Sequence, residues 1–202
     1  MSRGRFIVLE GIDGAGTTTQ RNLLAHWLRE QGREVLTTFE PTDRMLGSLI
    51  REALKGRMAE RLDAATLALL FAGDRLDHLA HEIEPALAAG HDVVCDRYVA
   101  SSLAYQTETV PLEWVLSLNS RALVPDLTVL LRVDPELALE RIGVRQGGQR
   151  DLFEDLVTLR GVAHRYERLI DDGQIVASVV DGSLDVETVS VVIQGLVAGL
   201  SG

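Results

Sequence analysis

The strongest constraint on the fold is an apolar run, Arg5-Phe6-Ile7-Val8-Leu9-Glu10, that leads straight into Gly11-Ile12-Asp13-Gly14-Ala15-Gly16-Thr17-Thr18-Thr19 and then into an amphipathic stretch. This reads as strand, glycine loop and helix. Glycines let the backbone curl until successive N–H groups point inward, and the helix N-terminus adds positive potential. Residues 11–19 are therefore expected to cradle the phosphates of a nucleotide, ATP above all. The hydroxyl two residues after the last loop glycine is Thr18, the position from which such loops hold Mg²⁺. The pattern Gly-x-x-x-x-Gly-Lys-Ser/Thr asks for a lysine at position 17, and the chain has Thr17; its only lysine is Lys55. Three readings stand on the loop alone: it binds ATP with an arginine elsewhere supplying the charge, it binds nucleotide with weak or no catalysis, or its glycines only make a tight turn.

Beyond the loop, short β-branched runs alternate with longer amphipathic stretches, as in a parallel α/β sheet. Strands are expected at 5–10, 34–38, 91–96, 127–133 and 174–180. Helices are expected at 17–31, 46–55, 63–89, 112–121, from Pro135 onward, 153–171 and 186–200, with Gly32 and Gly90 as stops. The expected fold is an α/β, P-loop NTPase-type three-layer sandwich, a parallel sheet of about five strands with helices on both faces. Its ligands belong at the carboxyl ends of the strands. No repeat or linker interrupts residues 1–202, so one domain is expected.

A formal net charge of −10 argues against a nucleic-acid partner, since binding a polyanion needs a positive field. Any phosphate must be held by a local cluster. Lone Cys95 excludes an internal disulfide and fits a reducing, cytoplasmic setting. The first dozen residues carry no secretory pattern. The apolar stretch 189–200 is too short to span a bilayer, which takes ~20 residues; a buried terminal helix is expected, and no membrane partner.

Further segments carry a resemblance. Leu9 to Gly16 with Thr18-Thr19-Gln20, then Glu40-Pro41, Phe71-Ala72-Gly73-Asp74-Arg75, Asp96-Arg97-Tyr98-Val99-Ala100-Ser101-Ser102-Leu103-Ala104-Tyr105-Gln106, and Pro125-Asp126 with Val133-Asp134-Pro135-Glu136 occur in this order. Together they resemble the thymidylate kinases over roughly residues 6–166. The resemblance implies transfer of the ATP γ-phosphoryl to dTMP, with Mg²⁺, in a homodimer that uses the 63–89 helix. It implies that Phe71 stacks on the thymine and that Arg75 and Arg97 grip the acceptor phosphate. Asp13 would orient Arg97 or that phosphate, Asp96 would hold Mg²⁺ directly or through water, and Glu40, Ser102, Tyr105 and Gln106 would line the base and sugar. The competing reading of each arginine is an ion pair with its neighbour, Asp74 or Asp96.

Residues 141–153 resemble the family's lid, with Gly147-Gly148 as hinge. Position 14 is Gly, so a transition-state arginine is expected in the lid, at Arg145 or Arg150, with Arg141 set back on the helix. The chain departs from the family at Thr17, at Phe39 in place of an arginine, and at Thr107-Glu108-Thr109 in place of a glycine- and arginine-rich stretch. A non-catalytic nucleotide-binding protein and a kinase for another monophosphate remain the alternatives. His78 and His81 read as a solvated polar face rather than a metal site.

Overall fold

The protein is represented by a computed structural model that describes residues 3–145 and 156–200. The elements run β1 (Phe6–Gly11), α1 (Thr17–Glu30), β2 (Val35–Phe39), α2 (Met45–Leu54), α3 (Ala64–His78), a π-helical turn (Leu79–Ile83) and α4 (Glu84–Ala88). They continue with β3 (Asp92–Asp96), α5 (Val99–Gln106), α6 (Leu112–Leu118), β4 (Leu127–Arg132), α7 (Pro135–Arg145), α8 (Leu156–Asp171), β5 (Ser178–Asp181) and α9 (Val186–Ala198). The strands are all parallel in the order β2-β3-β1-β4-β5. This is the P-loop NTPase-type α/β sandwich expected from the sequence.

Every residue of β1 is buried, because a central parallel strand is covered on both faces. Its side chains alternate between two packed layers. Phe6 and Val8 pack with Leu79, Ile83 and Leu87. Ile7 and Leu9 belong with Leu24 and Leu28 of α1 and with Ile193 and Val197 of α9. The register sets Asp96 beside both Leu9 and Phe39, so β1, β2 and β3 end at one level. From β1 the chain moves outward to β2 on one side and later crosses to β4 on the other, and a ligand crevice opens at such a divide.

Three sequence expectations shift for identifiable reasons. The expected 63–89 helix is three consecutive pieces. Asp63 caps its start by accepting the Thr66 N–H, and Gly90, at φ 86°, follows its end. Pro85 lies in the first turn of α4, where its missing N–H is tolerated after the wider π turn. Strand β5 starts at Ser178, later than expected. The N–H groups of Gln174 and Ile175 instead bond the Leu169 carbonyl and close the end of α8. Val99–Gln106, read above only as a motif, is helix α5.

Candidate active site

The glycine loop takes its shape from two residues with positive φ, Gly14 at 83° and Gly16 at 96°. Gly16 is the N-cap of α1 and offers no side chain to its first turn, which leaves those N–H groups for an anion. At Gly14 a Cβ would lie 2.3 Å from the Ala138 carbonyl oxygen. Helix α7 thus rests directly on the loop, and any side chain at position 14 is excluded. Thr17 is buried at the first position of α1.

Beside the loop, Thr18 Oγ1 donates to Asp96 Oδ2 at 2.5 Å. The other Asp96 oxygen, Oδ1, is buried and has no hydrogen-bond partner. A carboxylate oxygen left bare in a protein interior is costly unless something positive takes it up. Among the described residues no cluster of three His, Cys, Asp or Glu side chains is arranged to hold a metal. A cation at Thr18 and Asp96 would therefore complete its shell from phosphate oxygens and water, as Mg²⁺ does.

Asp13 projects from the loop into a cavity of about 750 Å³. Its Oδ1 accepts from Arg97 Nη2 at 2.6 Å, and its Oδ2 accepts from the Tyr105 hydroxyl at 3.0 Å. The Arg97 guanidinium also stacks 5.1 Å from the centre of the Tyr105 ring. Burial works against charge on Arg97, but Asp13 outweighs it and holds the guanidinium pKa well above its usual value. The Arg97 backbone has φ 69°, a left-handed conformation that a residue with a Cβ adopts only when its surroundings enforce it.

Glu10 is what enforces it from below. Its Oε1 accepts from the N–H groups of Tyr98 at 2.8 Å and Ser101 at 3.2 Å. Its Oε2 accepts from Ser101 Oγ at 2.6 Å and the Tyr166 hydroxyl at 2.9 Å. The last full residue of β1 before the loop thus fixes the turn that carries Arg97 and ties it to α8. Burial raises the Glu10 pKa above the ordinary carboxylate range, and the Ser101 hydrogen bond and the Arg97 charge only partly counter it.

Besides Asp13 and Arg97, the cavity is lined by Glu40, Phe71, Arg75, Ser102, Tyr105 and Gln106. Arg75 is fully buried and anchored by Asn119 Oδ1, by the Tyr98 carbonyl at 3.0 Å, by Ser102 Oγ at 3.1 Å and by Glu40 Oε2 at 2.7 Å. Its Nε has no hydrogen-bond partner, nor has Gln106 Oε1. A glycine loop with open helix N-terminal N–H groups and a Thr18–Asp96 pair with one bare carboxylate oxygen thus adjoin an aromatic-walled cavity whose arginines are fixed in place. That is the layout for aligning two phosphorylated ligands.

The profile of the thymidylate kinase family matches residues 9–193. The chain belongs to the thymidylate kinase family. A probable thymidylate kinase of Pyrococcus horikoshii is 46% identical to it over 174 residues, 84% of each chain. One from Pyrococcus abyssi is 47% identical over 174 residues with the same coverage. One from Thermococcus kodakarensis is 41% identical over 98% of each chain.

Set against the expectations for a thymidylate kinase, the structure brings Asp13, Glu40, Phe71, Arg75, Arg97, Ser102, Tyr105 and Gln106 around one cavity. The neighbour pairings do not form. Asp74 instead accepts from the Thr42 N–H at 2.8 Å and from the Thr42 hydroxyl at 2.6 Å, while Asp96 accepts from Thr18. Arg150 and the side chain of Arg145 lie outside the described residues. Arg141, on α7, donates to the Gly182 carbonyl at 3.0 Å. His78 corrects the solvated reading: it is fully buried, with Nε2 2.7 Å from Thr38 Oγ1 and Nδ1 3.2 Å from Glu40 Oε1. Of that pair, His81 is the one that faces solvent. Sequence reasoning passed over Glu10, Ser101, Asn119 and Tyr166 as functional supports. Tyr166 carried one usable signal, a phenol on the buried stripe of α8 with Leu159, Val162 and Leu169, where a hydroxyl demands a partner.

Proposed function

We propose that this chain transfers the γ-phosphoryl group of ATP to the 5′-phosphate of dTMP, giving dTDP and ADP. The observation that carries the reading is Asp13, a residue of the phosphate loop whose carboxylate holds Arg97 and Tyr105 of the acceptor cavity. Donor and acceptor sites share one hydrogen-bonded unit, which is how two anions are brought into a reactive alignment. The loop from Gly11 to Thr19 receives the ATP phosphates. Phe71 offers a flat face to the base, and unpartnered Gln106 Oε1 suits a ring N–H. Arg97, with Arg75 behind it, holds the acceptor phosphate. Tyr105 packs against the sugar beside Ser102.

Thr18 and Asp96 would hold Mg²⁺, which when bound neutralises charge between the outer phosphates. The chain's own part is to orient: Glu10 fixes the Arg97 turn, Asp13 fixes the guanidinium, and Arg145 or Arg150 closes on the transferred group. The exposed apolar side chains Met45 and Leu49 on α2 and Leu69 and Leu76 on α3 support a homodimer through that face; light scattering giving a monomer would remove it. Among the described residues no helix is long and apolar enough to cross a membrane. With the sole cysteine buried and unpaired, a cytoplasmic setting fits.

The test is ADP release with ATP and Mg²⁺ in the presence of dTMP, dUMP, dCMP, dGMP or no acceptor. Turnover should depend on dTMP. Thr17 favours one rival reading, a nucleotide-binding protein without turnover, and tight dTMP binding with no ADP release would establish that instead.

A further inference from the structure

The family reading leaves one chemical gap, the missing cation at Thr17, and the structure places a candidate one helical turn further on. Residues i and i+4 lie on one helix face with their Cβ atoms about 5–6 Å apart. Side chains on a helix lean toward its N-terminus. Arg21 therefore shares a helix face with Thr17, one turn away from it. Its Nη1 donates to the Thr38 carbonyl at 3.3 Å, and its guanidinium lies 5.7 Å from the centre of the Phe39 ring. Phe39 also lines the acceptor cavity and is paired in register with Asp96. The guanidinium is thus held at the carboxyl edge of β2, next to the strand end that carries the Thr18–Asp96 pair.

Arg21 also keeps its charge available. Its remaining hydrogen bonds go to the Asn22 side-chain oxygen, at 3.2 and 3.0 Å. Among the described residues no carboxylate pairs with it, whereas Arg97 is committed to Asp13 and Arg75 to Glu40. The two departures from the family pattern meet here. The lysine is absent at 17, the arginine is absent at 39, and Phe39 provides the ring on which a different arginine rests.

We propose that Arg21 supplies the positive charge to the ATP phosphates that a lysine at position 17 would otherwise give. This rests on the phosphoryl-transfer reading above and names a further phosphate-binding residue for that same site. Among the described residues Asn22 is the only side chain that competes for its donors, and a swing about the Phe39 ring frees them for an outer phosphate oxygen.

The experiment compares wild type, Arg21→Ala, Thr17→Lys and the double variant. The readouts are Mg·ATP affinity by calorimetry, steady-state kinetics with dTMP, and melting temperature. Arg21→Ala should weaken Mg·ATP binding or lower kcat by about tenfold or more, with the KM for dTMP within about threefold. Adding Thr17→Lys should bring the double variant back to within about threefold of Thr17→Lys alone. Arg21→Ala within twofold of wild type in both readouts would overturn the proposal, as would a loss that Thr17→Lys leaves unrescued. A loss that tracks the melting temperature would also overturn it, and would mean packing on Phe39. Wild type without dTMP-dependent turnover would sink the kinase reading, yet the ATP affinities would still decide the role of Arg21.

Discussion

Replacing Asp13 with asparagine isolates the contact that joins the two halves of the site. Asparagine keeps the shape and can still offer one oxygen to Arg97 Nη2, now 2.6 Å from Oδ1. The Tyr105 hydroxyl, 3.0 Å from Oδ2, can turn its proton away and accept from the new amide. What disappears is the charge. Arg97 stays cationic, so its bond to the amide oxygen remains charge-assisted, and the change is from an ion-paired bond worth up to about 3 kcal/mol to one nearer about 1.5. The difference is about 1–2 kcal/mol. Because the Asp13 side chain is 33% exposed, water screens part of it and the lower half of that range applies. Loss of roughly 1–1.5 kcal/mol in transition-state positioning is a fall of about 5- to 12-fold in kcat/KM for dTMP. The assay is ADP release at saturating ATP with dTMP varied. Tyr105→Phe should cost about 1 kcal/mol. The double variant should lose less than the sum, because both changes act on one unit. Asp13→Asn within twofold of wild type, or strict additivity with Tyr105→Phe, would refute the idea that Asp13 orients Arg97 for the reaction.

Other outcomes follow from the same contacts. Alanine at Arg145 or Arg150, tested singly, should lower turnover by at least about tenfold in one of the two if a lid arginine serves the transition state; two near-neutral results would exclude it. Glu10→Gln removes a carboxyl whose pKa burial has raised. Folded Glu10 holds its proton more tightly than unfolded, so this contribution is fully present below the unfolded value of ~4.3 and is lost as pH rises. The melting temperature of wild type relative to the variant should therefore fall from acid to neutral pH, and a flat difference would contradict it. Asp92 has the opposite sign. Burial opposes its charge, but hydrogen bonds from Arg33 and Arg5 hold its pKa far below the usual range, so its contribution is present above ~3.9 and vanishes in acid. Asp92→Asn should cost about 3 kcal/mol at neutral pH in urea unfolding, with the gap closing as the pH drops.

How much was legible in the sequence depends on where each signal resides. The loop, the strand that feeds it and the placement of Asp13, Phe71, Arg97 and Tyr105 around one cavity were readable, since backbone conformation at Gly14 and Gly16 and a linear run from Asp96 to Gln106 encode them locally. Supports from distant segments were not. Arg75 is held by Asn119, Tyr98, Ser102 and Glu40, and nothing in residues 71–75 announces such partners. His78 misled because its polarity suggested solvent. The buried face of α3 and its continuation runs through Ala68, Ala72, Arg75 and Leu79, and the 3–4 residue spacing places His78 beside that stripe. A polar residue there is buried with partners rather than exposed. Helix α5 hid behind its motif, although Ala100, Leu103 and Ala104 carry a helical apolar spacing.

A chain of net charge −10 that holds two phosphorylated ligands poses an electrostatic problem, and the site resolves it by committing its carboxylates elsewhere. Glu10 is saturated by four donors, Asp13 accepts from Arg97 and Tyr105, and Glu40 lies within ion-pairing distance of Arg75 and His78. Each of these carboxylates holds a cationic or N–H-bearing segment in place, so the acidic groups organise the positive field instead of opposing it. Asp96 is the exception, with one oxygen on Thr18 and the other bare. Among the described residues no arginine or histidine lies within ion-pairing distance of it, so it would suit a divalent ion beside the phosphate loop. On this view Thr17 is tolerable because a P-loop lysine is one source of charge among several. A turn fixed by Glu10, a cation that Asp96 would take up and an arginine resting on Phe39 would divide its task.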